Sequence, residues 1–347
     1  AAFWRAPNPA APAFVPPAPA AVSKLPAEFV AGLLPKAAES AHAATLVELP
    51  DGSLAAAWFA GSREGAADVA IWFSTLGRDG WSKPAPIANR ESTAGGVFAH
   101  IRKVGNPVLH VEGSWLHLWY VSVGIGGWAG SSISHSVSTD AGQSWTKPTR
   151  LQTSPFLNIS TLVRTPPVPL ADGGIALPVY HEFIAKHGEW LRLSANGQII
   201  DKVRMAHPVR TLQPAAATLD EQRAFAVLRD AGPGPGPGRV QSASTANAGL
   251  SWQAGAALPM ANPNSAVALL RLKSGRLLMA GNPPNGREAL LLWISADEGK
   301  TWQASHTVES AADVDAEFSY PALLLGRDGR IHLAYTWRRQ EIGRAHV

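Results

Sequence analysis

The chain has 347 residues, 46% hydrophobic and 16% charged, with a net charge of +4 at pH 7 that is spread without runs of one sign. So small and dispersed a charge argues against nucleic acid as a partner and is compatible with an anionic ligand. The lack of cysteine excludes disulfides and thiolate metal sites, and no apolar stretch reaches the roughly 18 residues that a membrane-spanning helix needs.

Residues 1–26 are dominated by Ala and Pro, including Pro7, Pro9, Pro12, Pro16, Pro17, Pro19 and Pro26. This composition predicts an extended segment that packs poorly. The segment reads as what remains after a signal or anchor is removed, so export to the periplasm or beyond is expected, with the cytoplasm as the alternative, since a chain without cysteine fits either compartment. Residues 27–347 are expected to form one domain, and within it only Ala27–Leu34 has a spacing that suggests a short helix.

From there one unit recurs six times: an apolar run, a turn, a second apolar run. The turn-plus-strand segments are Asp51–Trp58, Gly113–Tyr120, Asp172–Tyr180, Asp220–Leu228, Ser274–Gly281 and Asp328–Thr336. Successive turns lie roughly 48 to 62 residues apart, the period of β-propeller blades. The apolar runs before the turns, such as Ala43–Leu49 and Pro107–Val111, are nearly continuous, as suits inner strands buried on both faces. The prediction is an all-β, six-bladed propeller of four-stranded antiparallel blades. The Gly232–Gly238 stretch, GPGPGPG, reads as a long exposed connection.

A second motif follows the third strand of several units. Ser138–Trp145 (STDAGQSW) and Ser295–Trp302 (SADEGKTW) fit S-x-D-x-G-x-x-W, and Thr245–Trp252 (TANAGLSW) is a softened copy. The Asp or Asn side chain is expected to cap turn amides, the Gly to supply a positive φ, and the Trp to plug between neighbouring sheets. These residues therefore read as folding staples on the rim, not as chemistry. The motif is the Asp box, and its repetition on a six-blade period resembles the sialidase (neuraminidase) superfamily, in particular its BNR-repeat members, over roughly residues 40–340.

Aligning the repeats by their turns places His42, Asn106, Arg164, Gln213, Asn264 and Tyr320 at the starts of the inner strands, where a propeller gathers residues around its axis. The loops after the second strands add Arg63, Glu64 and Asp68, then His181 and Glu182, Arg229 and Asp230, Arg287, and Arg338 and Arg339. Together they predict a cationic mouth suited to an acidic sugar, a glycan or oligosaccharide.

The resemblance implies specific roles. Sialidases hold the substrate carboxylate with three arginines and attack the anomeric carbon with a tyrosine that a glutamate assists, while an aspartate protonates the leaving group. By position, Tyr320 corresponds to the nucleophile, Arg229 and Arg287 to the second and third arginines, and Asp68 to the acid, with Glu64 beside it. The chain departs from the pattern twice: His42 stands where the first arginine is expected, and Gln213 where the tyrosine's glutamate is expected. Histidine cannot form the guanidinium fork and glutamine cannot accept the phenol proton.

The expectation is a sialidase-like glycoside hydrolase acting on a terminal acidic sugar. Two alternatives stay open: a lyase on a uronate-containing glycan, using His42 and Tyr320, and a propeller that binds acidic glycan without cleaving it. Trp128, in the glycine-rich Gly124–Gly130, is a candidate for stacking on a sugar ring. The same segment opens no helix and so fails as a nucleotide loop. The Asp boxes lack the carboxylate density of a calcium loop, and His181 and His187, six apart, lack a metal-binding spacing; no metal or cofactor is expected.

Overall fold

The computed structural model describes residues 11–18, 29–154, 157–232, 238–313 and 316–346. Six antiparallel sheets form the blades; in five the first strand in sequence lies innermost, and in the sixth Phe318–Leu325 takes that place. The inner strands are Ser40–Glu48, Lys103–Glu112, the interrupted pair Leu162–Val163 and Val168–Pro169, Thr211–Thr218, Ala268–Arg271 and Phe318–Leu325. Their burial is nearly continuous in blades I, II and IV, as a strand packed on both faces requires. The six-bladed propeller read from the period is the fold.

The ring closes differently from expectation. Val30–Leu33 is a strand, not a helix, and pairs antiparallel with Glu341–His346, opposite Gly343–His346, as the outermost strand of blade VI. The start of the domain thus completes the blade built by its end and covers an otherwise open edge. A short helix does form elsewhere, at Arg90–Val97 between blades I and II. Asn89 caps it, accepting from the Ser92 amide at 2.8 Å.

Part of the Ala/Pro-rich segment packs, against expectation. Phe14 is 1% exposed, lies edge-on to Trp190 at 6.2 Å, and hydrogen-bonds through its amide to the Glu221 carbonyl. A large ring with a partner outweighs the surrounding prolines. Residues 1–10 and 19–26 of that segment, and 233–237 of the Pro/Gly connection, lie outside the described residues.

The Asp boxes are staples. In blade II Asp140 Oδ1 accepts from the Ser144 amide and the Ser138 hydroxyl, and the Ser138 hydroxyl accepts from the Gly142 amide. Trp145 meets Phe73 of blade I edge-on at 5.9 Å. The same motif in blade IV sets Trp252 against Trp190 of blade III at 4.9 Å, and in blade V sets Trp302 against Phe225 of blade IV at 6.4 Å. Each box thus binds its blade to the one before it.

Candidate active site

Four inner strands carry the same irregularity near their start. The pairing skips two residues at Ala43–Ala44, Asn106–Pro107, Gln213–Pro214 and Tyr320–Pro321, and the first of each pair has a left-handed φ of 52°, 47°, 48° and 53°. A bulge re-aims a side chain that regular pleating would send into a sheet face, and it tolerates the proline that follows. Blade V reaches the same conformation at Asn264, with φ 51°. The bulges also correct the alignment: the counterpart of Asn106, Gln213 and Tyr320 is Ala43, and His42 stands one residue earlier, where blade VI has Ser319.

Around the axis these residues meet. Arg164, buried and reaching over from blade III, donates to the backbone carbonyls of Tyr320 at 2.6 Å, Pro321 at 3.3 Å and Ala44 at 3.2 Å. Burial draws its guanidinium down to about 10, so it stays charged at neutral pH. Its carbon Cζ lies 5.6 Å from the Tyr320 ring centroid, and so does that of Arg287. Tyr180, from the second strand of blade III, receives Asn106 Nδ2 at 3.1 Å and Gln213 Nε2 at 3.4 Å on its phenol oxygen. Burial pushes that phenol well above its usual range, so it remains neutral.

Tyr320 is half-buried, and its oxygen faces Arg229, whose Nη1 stands 3.4 Å away and also donates to Gln213 Oε1 at 3.1 Å. Arg229 Nε donates to Asn264 Oδ1 at 2.7 Å. Among the described residues the hydrogen-bond partners of Arg229 are thus all neutral, and no carboxylate lies within ion-pair distance. Gln213 and Tyr320 share Arg229 between them.

Arg287 is different: its Nη1 donates to Glu317 Oε1 at 2.7 Å, and its Nη2 to the Asn264 carbonyl at 3.0 Å. Glu317 also binds Arg339 and accepts from Ser319 at 2.6 Å. Burial alone would raise its carboxyl, but the Arg339 and Ser319 hydrogen bonds and the Arg287 charge win and hold it at about 2. Arg339 continues to Glu64 at 3.0 Å. Glu317 went unselected in the sequence although it lies three residues before Tyr320; a carboxylate just ahead of an inner strand was the available signal.

His42 lies beneath this layer. It is 2% exposed, its ring centroid is 4.3 Å from that of Tyr320, and its Nδ1 is 3.2 Å from the Thr336 hydroxyl. Burial holds it at about 3, hence neutral, with Glu64 3.9 Å from its other nitrogen.

The remaining candidates sit to one side. Arg63, Glu64 and Trp128 line a cleft of about 440 Å³ with Ser40, Lys103 and Arg339. The Lys103 ammonium lies over one face of the Trp128 ring, 4.0 Å from its centroid. Asp68 is exposed and accepts from the Ser62 amide at 2.8 Å and hydroxyl at 2.9 Å, contacts that hold its carboxyl below the usual range. Glu182, half-buried, is instead pushed up by burial, with Arg229, Lys103 and Lys186 acting against the shift.

The chain matches the family model of the BNR repeat-like domain over residues 52–333. Comparison with the curated proteins finds no matching relative. Among solved structures, a protein of unknown function from Dyadobacter fermentans superposes with a TM-score of 0.72 at 14% identity, covering 91% of this chain and 97% of that one. A Hadza microbial sialidase gives 0.70 at 15% identity, covering 89% and 65%. The intramolecular trans-sialidase of Ruminococcus gnavus, solved with oseltamivir carboxylate, gives 0.66 at 13% identity, covering 90% and 94%. The chain thus spans just under two thirds of the Hadza sialidase it resembles.

Proposed function

The chain belongs to the BNR repeat-like family, and we propose that within it this propeller is a sialidase-like glycoside hydrolase that removes a terminal acidic sugar from a glycan. One observation carries the reading: a half-buried phenol, Tyr320, whose oxygen faces a guanidinium with no carboxylate of its own, Arg229. An incoming sugar carboxylate gains a charge-assisted bond there without first displacing an internal ion pair. Arg287 and Arg339, pinned on Glu317, hold the rest of the mouth positive and fixed.

In the reaction, the Tyr320 oxygen attacks the anomeric carbon as the bond from that carbon to the leaving oxygen breaks. Arg229, donating to the phenol oxygen, favours negative charge on it as its proton departs to solvent, a task for which Gln213 is unfit. The leaving oxygen needs a proton. Glu182, two residues after Tyr180 and near enough to Arg229 to feel its charge, is a candidate for that role beside Asp68. Burial pushes its carboxyl up, while the Ser62 contacts hold that of Asp68 down. Water then attacks the anomeric carbon and breaks its bond to Tyr320, giving its proton to the acid, while the released Tyr320 oxygen takes a proton back from solvent. His42 is too deeply buried to take a proton from a uronate, which weighs against the lyase reading.

A second reading rests on the absence, among the described residues, of a carboxylate bonded to the Tyr320 oxygen: a propeller that binds acidic glycan and leaves it intact. The test is a screen of sialosides and other terminal acidic sugars, with products followed by mass, on the wild-type chain and Tyr320→Phe. Release of a saturated sugar that Tyr320→Phe abolishes supports hydrolysis. Saturable binding by both proteins without turnover establishes the binding reading, and an unsaturated uronate product would sink both.

A further inference from the structure

Blade III carries a second cluster, next to Tyr180 and Glu182 but distinct from the axial residues. Its second and third strands, Ile175–His181 and His187–Leu193, form a hairpin in which His181 stands directly opposite His187 and Val179 opposite Glu189. Side chains two apart on a strand share a face, so the register brings His181, His187 and Glu189 onto one side of the sheet. A spacing of six residues in sequence carries no metal signature; the hairpin creates it.

The donors are close enough to share an ion. One donor atom from each of the three residues lies within 4.8 Å of the others, and His187 Nε2 is 3.3 Å from Glu189 Oε1. Ligands about 2.0–2.1 Å from a tetrahedral zinc stand roughly 3.4 Å apart, so this last pair already has the spacing of two ligands. The imidazole rings of His181 and His187 stack at 4.9 Å and 19°, which holds them side by side.

The cluster also has unmet demand. Glu189 is 7% exposed, yet its Oε2 has no hydrogen bond of good geometry, and neither does the buried Nδ1 of His187. The nearest cation to that carboxylate is Lys202, with Nζ 3.3 Å from Oε2 and 3.4 Å from the Thr161 hydroxyl. A carboxylate so buried requires a positive charge. Lys202 supplies it from the flank, and its contact with Thr161 gives it a place to remain if an ion arrives.

We propose that His181, His187 and Glu189 form a site for a divalent transition metal of the zinc type, with Lys202 standing in for the cation when the site is empty. Two imidazoles and one carboxylate are a nitrogen–oxygen donor set that suits zinc, and the fourth position falls to water. The ion would tie the strand that ends at Tyr180 and His181 to its neighbour, and so brace the loop carrying Glu182.

The test is calorimetric titration of the chelator-treated full chain with zinc chloride, with cobalt(II) absorption as a readout of coordination geometry. One equivalent is expected to bind, with affinity falling at least about tenfold in His187→Ala and in Glu189→Gln and rising in Lys202→Met. His117→Ala, which alters a separate histidine cluster on blade II, is expected to leave binding unchanged. Circular dichroism checks each variant, and His181→Ala, at a half-exposed position, replaces any that fails to fold. The proposal falls if wild type and Lys202→Met both lack saturable binding, or if binding persists unchanged in the folded ligand variants.

Discussion

The guanidinium of Arg164 donates to the backbone carbonyl of Tyr320 across the propeller axis at 2.6 Å. It joins blade III to blade VI, where Pro321 accepts a second bond, and its bond to Ala44 brings in blade I. A buried arginine is costly to place, and here three carbonyls and an aromatic face meet its charge. Arg164 is thus a positioning residue: it touches the backbone of the candidate nucleophile and leaves the phenol oxygen to Arg229.

Arg164→Lys is expected to destabilise the fold by about 2–4 kcal/mol, because one ammonium cannot replace a fork that reaches three carbonyls. Thermal unfolding measures the loss. Turnover per folded molecule is expected to fall as well, through misplacement of Tyr320; unchanged turnover would remove the positioning role.

Arg229→Lys is expected to raise KM for an acidic sugar by about 10- to 100-fold, the equivalent of losing one charge-assisted contact of about 1.5–3 kcal/mol. Arg229 is half-buried and bonded to neutral side chains, so the unfolding temperature is expected to change little. Kinetics at several substrate concentrations separate KM from kcat.

Acid is expected to destabilise the protein in two stages. His42 is held at about 3, and His110 and His135 at about 4, all by burial. A histidine with a depressed folded pKa contributes stability fully above its unfolded value near 6.5. That contribution is lost as pH falls toward the folded value, at up to about 1.4 kcal/mol per pH unit per group. Glu317, held at about 2, adds a second loss as pH drops below about 4.5. Urea unfolding from pH 8 to pH 4 is expected to show the first slope, and His42→Gln to make it shallower.

Gly142→Ala and Gly299→Ala are each expected to cost about 1–3 kcal/mol. Both glycines have φ near +90°, and a Cβ there would stand 2.4 Å from the Phe73 ring or 2.8 Å from the Phe225 ring. Turnover per folded molecule is expected to survive, since the boxes join blades at the rim. A variant as stable as wild type would contradict the stapling role.

The propeller was legible because its physics is local and repeated. Asx turns such as Asp51 Oδ1 accepting from the Ser53 amide, apolar strands on a fixed period, and Asp boxes all act within a few residues, so pattern alone reveals them. The neighbourhood of Tyr320, Arg229 and Arg287 followed from the same period. Closure by Val30–Leu33 did not, because four small apolar residues acquire strand structure only by pairing with Glu341–His346. The one-residue offset of His42 escaped too: a bulge moves the side chains that follow it, and four bulged pairs with left-handed backbone leave no distinct trace beyond a proline after three of them. Composition and periodicity thus determined the fold and the radius at which its polar residues gather. Tertiary structure decided which of them touch: Glu317 between Arg287 and Arg339 and His42 beneath Tyr320, set by contacts between segments that the chain keeps apart, and His181 opposite His187, set by the register of a hairpin.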